Sequence, residues 1–195
     1  MRKAVRSNIS LVIMAMFLLF RAPAVEGQVI AAPPDFPLPI TSQKYTESAR
    51  AKVFFKIYPI FSNAYESLDR KEYGKAEKFF QAILEIDPGN NLARYYLIQI
   101  YSHTGQPGKV LTLSDHFIRQ YPDYIQGHLA KGYALWGLKD YPAANLAFTQ
   151  ALSLGPKPRQ QAEILRALAE TQMGLQQYEK AISSFQQAHV LSERP

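Results

Sequence analysis

The sequence contains no cysteine and only one tryptophan. Without thiols there is no disulfide, no thiolate metal site, no cysteine nucleophile and no lipid-modified cysteine anchor. Histidine is scarce as well, and His103, His116, His128 and His189 show no ligand spacing, so no metal or other cofactor is expected. Excess charge is also small. Of the net +6, half lies in residues 1–27, where Arg2, Lys3, Arg6 and Arg21 face Glu26 alone, and the remaining +3 is too mild to suggest a nucleic-acid partner. The apolar run Ile9 to Phe20, broken only by Ser10, has twelve residues, whereas a bilayer span takes about twenty.

That short run has a different meaning in context. Basic residues precede it, and Ala22, Pro23 and Ala24 follow in a small-x-small arrangement, with a second cleavage option at Val25 to Gly27. Residues 1–27 therefore read as a secretory signal peptide. The alternative, an uncleaved membrane anchor, rests on Arg21 immediately after the apolar run. Residues 28–43 carry Pro33, Pro34, Pro37 and Pro39 and form an extended linker. Thr41 to Lys56 is expected to be helical, with Ala49, Val53 and Phe54 available for packing, and Pro59 is expected to restart the chain.

Over the whole chain, 47% hydrophobic and 19% charged residues allow a real core. The stretch from Gly137 to Pro156 sets its organisation. Asp140 is an N-cap, Pro142 lies in the first turn, and Ala144, Phe148 and Ala151 share one helix face before Pro156 stops the run. Pro88, Pro122 and Pro156 recur at a spacing of 34 residues. Ala76, Val110 and Ala144 keep that spacing, and a fourth copy with Ala181, Phe185 and Ala188 follows at 37.

A helical hairpin repeating at 34 residues resembles the tetratricopeptide-repeat family. The repeats fall at about 57–90, 91–124, 125–158 and 162–195, within a domain spanning 44–195. The close-crossing pairs are Ala64 with Ala76, Ile98 with Val110, Gly132 with Ala144, and Ala169 with Ala181. Repeat two uses bulkier residues, so its helices should sit further apart. Phe80, Phe148 and Phe185 fill the large inter-repeat position, where Ser114 departs from the pattern. Leu97 and Leu168 match the leucine position, and Asn63 and Lys131 depart from it. The resemblance implies an all-α, right-handed superhelix of about four hairpins, with the first helix of each lining a concave wall.

Family slots that face the concave side hold Phe61, Tyr65, Tyr95, Tyr96, Gln99, Ser102, Gln126, Tyr133, Trp136, Glu163, Arg166 and Glu170. The sharpest candidates for a ligand or partner groove are Phe61, Tyr65, Tyr95, Tyr96, Gln99, Tyr133, Trp136, Arg166 and Glu170. Members that grip a terminal carboxylate place Lys and Asn where Phe61 and Tyr65 stand, so that activity does not carry over. An aromatic wall suits apolar peptide anchors or sugar rings.

No catalytic constellation is expected. Ser114, Asp115 and His116 are neighbours on one helix and point about 100° apart, which forbids a relay. The segment from Gly105 to Val110 has two residues between its glycines and follows a helix, unlike a phosphate loop. A narrower resemblance runs from Phe55 to Phe61 and from Leu92 to Gly105. Those segments are similar to the N-terminal periplasmic repeat region of bacteriophage adsorption protein A. This resemblance implies a periplasmic, non-catalytic scaffold in exopolysaccharide export, with an envelope protein or peptide as partner. A glycan-binding module is the alternative. The last helix, carrying Phe185, Ala188 and Leu191, is expected to turn an apolar face outward, towards a partner, a second copy or a downstream domain.

Overall fold

The computed structural model describes residues 46–192, so the expected signal peptide and proline-rich linker lie outside the described residues. Eight α-helices and no strands are found there: α1 Glu47–Asp69, α2 Tyr73–Ile86, α3 Asn91–His103, α4 Pro107–Gln120, α5 Ile125–Gly137, α6 Tyr141–Ser153, α7 Pro158–Gly174 and α8 Tyr178–Ser192. They form four successive hairpins. Local chemistry sets the helix starts. Asn90 Oδ1 accepts from Ala93 N at 2.9 Å and Asp140 Oδ1 accepts from Ala143 N at 3.2 Å, satisfying first-turn donors. Pro107, Pro142 and Pro158 stand in first turns, where no intrahelical N–H bond is lost.

The turn inside each hairpin is one device used four times. Lys71, Gly105, Lys139 and Gln176 all adopt positive φ, between 58° and 67°. The following residue donates backward to close the helix: Glu72 N to Ser67 O, Gln106 N to Tyr101 O, Asp140 N to Leu135 O and Gln177 N to Gln172 O, each at 2.8–2.9 Å. This is the left-handed C-terminal cap that absorbs orphan carbonyls. Only the second hairpin uses glycine for it.

The structure corrects one expectation near the start. Pro59 does not break the chain, because α1 runs continuously through it for 23 residues. Proline removes the bond to the carbonyl four residues back. Here Pro59 and Phe55 are both exposed, so that carbonyl lies on the solvent side, where water replaces the lost partner. The three extra residues before the last repeat also have a structural fate. Helix α7 has 17 residues against 13 in α3 and α5, and the addition becomes an extra N-terminal turn.

Packing follows the repeat phase. Ala64, Ala76, Ile98, Val110, Ala144, Ala169 and Ala181 are all buried, as are Phe80, Ser114 and Phe148. Helices α3 and α4 pack against each other least of the four hairpins, in keeping with their bulkier crossing residues. Of the two departures at the leucine position, Asn63 is exposed on the first helix, and Lys131 pairs with Asp115 at 2.7 Å. The backbones of α3 and α5, and of α5 and α7, come close to each other, whereas those of consecutive second helices do not. The first helices therefore lie on the tighter, inner side of the array.

Candidate partner-binding wall

The structure divides the candidate wall into two halves of different character. In the first half, Phe61, Tyr95 and Tyr96 are buried. That corrects the expectation that these rings face a ligand. Phe80, projecting from α2, is covered on both sides: Tyr96 stacks on it at 5.1 Å, Phe61 meets it edge-on at 5.9 Å, and Tyr95 lies against Tyr96 at 5.3 Å. Tyr65 closes the cluster, 5.1 Å from Tyr96, and alone among these rings stays open to solvent, 39% exposed; its hydroxyl is raised in pKa chiefly by burial, with a hydrogen bond to Tyr96 working against that. Offset and edge-on aromatic pairs of this kind contribute about 0.5–1.5 kcal/mol beyond their buried area. Gln99 is half-buried beside them, and Ser102 returns its hydroxyl to Ile98 O at 2.8 Å.

The second half is open. Tyr133 and Trp136 lie three residues apart on α5 and are 42% and 41% exposed. Tyr133 is anchored from behind, its ring meeting Phe148 edge-on at 5.1 Å. Facing it across the wall, Glu163, Arg166 and Glu170 follow at i, i+3 and i+7 on one face of α7, all exposed. Their proximity registers on the Tyr133 hydroxyl, whose pKa is pushed up to about 12. Burial is the largest cause, the carboxylates of Glu163 and Glu170 add to it, and Arg166 works against it. Among the described residues no ion pair within 4.0 Å joins Arg166 to either glutamate. Its Nε donates to the Ala162 carbonyl of its own helix at 3.4 Å. The charges on this wall are presented to solvent instead of neutralising one another.

Elsewhere the polar clusters serve structure. Asp115 pairs with Lys131 at 2.7 Å while Ser114 is fully buried, so the two do not form a relay with His116. Tyr101 donates to Glu77 at 2.9 Å, and Lys109 approaches the same carboxylate at 3.3 Å while lying 4.5 Å over the Tyr101 ring. That strap ties the first two hairpins together, and its sequence signal was missed because its members sit on three different helices. Among the described residues no group of three His, Asp or Glu side chains is placed to hold a metal ion. No helix there is long and apolar enough to cross a membrane.

Comparison with solved structures places this architecture. MamA from Desulfovibrio magneticus RS-1, residues 41 to the end, superposes with a TM-score of 0.66 at 16% identity, over 74% of this chain and 79% of that one. MamA of strain MSR-1 gives 0.64 at 20% identity, over 78% and 83%. The fold is a tetratricopeptide-type solenoid. At such identities the likeness concerns the fold alone. Human protein O-mannosyl-transferase TMTC3 (Homo sapiens) is 29% identical over 104 residues, which cover 50% of this chain and 11% of that protein. The chain thus spans about a tenth of that relative's length. No family model matches. Within the solenoid, Tyr133, Trp136, Glu163, Arg166 and Glu170 occupy two adjacent first helices, α5 and α7.

Proposed function

We propose that this solenoid is a non-catalytic interaction scaffold of the bacterial cell envelope, and that its open wall on α5 and α7 receives an extended segment of a partner protein. The observation that carries this reading is the juxtaposition of two half-exposed rings with three unpaired charges. Rings anchored from behind supply contact area at little entropic cost, and unpaired charges supply orientation. The signal-peptide pattern in residues 1–27 supports export, and a mature chain recovered from the periplasm is expected to begin near Val25 or Gln28. Intact Met1 on cytoplasmic material argues against it. The resemblance to the repeat region of bacteriophage adsorption protein A supports a place in exopolysaccharide export.

Trp136 gives the test, because it is the only tryptophan and reports on its own wall. Peptides drawn from envelope proteins are expected to shift its emission saturably, with the response lost in Tyr133→Ala and Arg166→Ala. A saturable shift with exopolysaccharide alone selects the glycan-binding alternative, which the same two rings favour by stacking on sugar. If iodide fails to quench Trp136 in the free protein, the wall is closed and the proposal fails.

A further inference from the structure

On α8, Tyr178, Ile182, Phe185 and His189 recur at i, i+4, i+7 and i+11 and form one stripe. Two of the interior counterparts that the repeat phase gives this stripe are Tyr141, Asn145, Phe148 and Leu152 on α6, and Tyr73, Glu77, Phe80 and Leu84 on α2. Both are covered by the first helix of the next hairpin. Tyr96 of α3 stacks on Phe80 at 5.1 Å, and Ile164 and Leu168 of α7 belong to the cluster that encloses Phe148. The stripe's N-terminal end is covered in the same way, by His103 stacked on Tyr73 at 5.7 Å and by Gly174 close over the Tyr141 ring. Phe148 is 0% exposed as a result. On α8, by contrast, Tyr178, Ile182 and Phe185 are 55%, 57% and 41% exposed, while Ala188 is buried against α7 and does not face outward. The stripe has the shape of a surface that receives a helix.

How a second copy of this chain could dock there follows from the other end of the array. Helix α1 holds the first-helix position that head-to-tail stacking would place on α8. Yet it carries Ser62, Glu66 and Asp69 where α3 carries Tyr96, Ile100 and His103. Ile100 is 0% exposed, so stacking α1 on α8 would bury at that point the carboxylate of Glu66, which is now solvent-exposed and 2.6 Å from Arg70. Taking an exposed carboxylate, or an exposed ion pair, out of water is unfavourable. The α8 stripe, however, is complementary to itself. Two antiparallel copies related by a two-fold axis between Ser183 and Ser184 set Ile182 against Phe185 of the second copy. They also set Tyr178 against His189, the same ring pair that Tyr73 and His103 form inside the array. We infer that the α8 stripe is an isologous contact between two copies of this chain.

This contact lies on α8, whereas the proposed partner wall lies on α5 and α7, so each fails independently of the other. A single pair of helices makes a small interface, which gives a reversible dimer with a dissociation constant in the micromolar range. The full chain is expected to show a concentration-dependent monomer–dimer equilibrium in sedimentation velocity. Ile182→Glu is expected to weaken it at least about tenfold, as loss of one anchor does, with helix content unchanged because the side chain is exposed. The cysteine-free background allows the geometry to be read directly. Ile182→Cys chains mixed with size-tagged Phe185→Cys chains should form the mixed disulfide in excess of either symmetric one. A monomer at the highest concentration reachable, a ladder of higher oligomers, or symmetric disulfides in excess would each overturn the inference. So would a dimer indifferent to Ile182→Glu, or a stripe occupied by a different protein while the chain stays monomeric.

Discussion

A β-carbon added to Gly132 would lie 2.5 Å from Cε1 of Phe148. The ring therefore occupies the space that any other residue at position 132 would need, and this is how α5 and α6 close on each other. Gly132→Ala gains about 1 kcal/mol of helix propensity, yet it drives a methyl group into a fully buried ring. Overpacking of that kind costs roughly 1–3 kcal/mol, so the variant is expected to melt lower. Phe148→Ala should cost about 3–5 kcal/mol. In Gly132→Ala/Phe148→Ala the new methyl enters the vacated space, and the double variant should be less destabilised than the sum. Strict additivity in thermal melts would refute the contact.

The repeat phase was legible because it rests on residues whose size alone matters. Ala76, Phe80, Ala144 and Phe148 are buried where the 34-residue period puts them. Pro59 misled because the cost of a proline inside a helix falls when water can reach the freed carbonyl, and that depends on exposure. The wall was half legible. Tyr133 and Trp136 stand open, but Phe61 and Tyr96 are drawn inward by Phe80, which approaches from another helix, and Tyr95 is buried beside Tyr96. A slot pattern fixes the direction of a side chain from its own helix and carries no information about a ring arriving from the next one. In the second repeat, bulky Ile98 stands at the position of Gly132, and buried Ser114 at that of Phe148. The large and small residues have changed places. Each slot taken alone looks like a departure, and only the pair keeps the volume.

The four hairpin turns make a prediction about conformation alone. Gly105 has φ of 67° and nothing within 4 Å of a β-carbon, so Gly105→Ala creates no clash. It still forces an L-residue into the left-handed region, at roughly 1–2 kcal/mol. The same strain is already present at Lys139, with φ of 62°. Lys139→Gly should therefore raise the melting temperature slightly, its gain of about 0.5 kcal/mol being reduced by the freer unfolded chain. Opposite signs at these two equivalent positions are the expected result in denaturant titrations.

Alkaline stability should fall in step with tyrosine ionisation. Tyr65, Tyr95, Tyr96, Tyr101 and Tyr133 all have hydroxyls raised above the ordinary value of 10.0, chiefly by burial, and Tyr133 reaches about 12. A raised pKa means that the folded chain keeps a proton the unfolded chain has released. The associated stability is complete below pH 10.0 and is lost as pH rises through about 12 for Tyr133, and higher still for Tyr95 and Tyr96. Tyrosinate absorbance should accordingly show a late phase that coincides with loss of helical circular dichroism. Tyr96→Phe removes one such proton and should make the alkaline decline less steep. An unchanged slope would mean that Tyr96 ionises without unfolding.

Gly137 and Gly174 end their first helices at equivalent positions, each above the first turn of the preceding second helix. Their neighbours differ. A β-carbon on Gly137 would sit 3.9 Å from Pro107 Cβ, an ordinary contact, whereas on Gly174 it would sit 2.9 Å from three atoms of the Tyr141 ring. Gly137→Ala adds helix propensity and restricts the unfolded chain without meeting anything, so it should stabilise by about 0.5–1 kcal/mol. Gly174→Ala carries the same gain but must displace a ring edge-to-edge along its face, and overpacking at roughly 1–3 kcal/mol outweighs it. Shrinking the obstacle tests the cause: in Tyr141→Ala, the added methyl of Gly174→Ala should become neutral or stabilising. If Gly174→Ala stabilises in the unaltered background, the ring yields freely, and α6 and α7 are not held in register at that point.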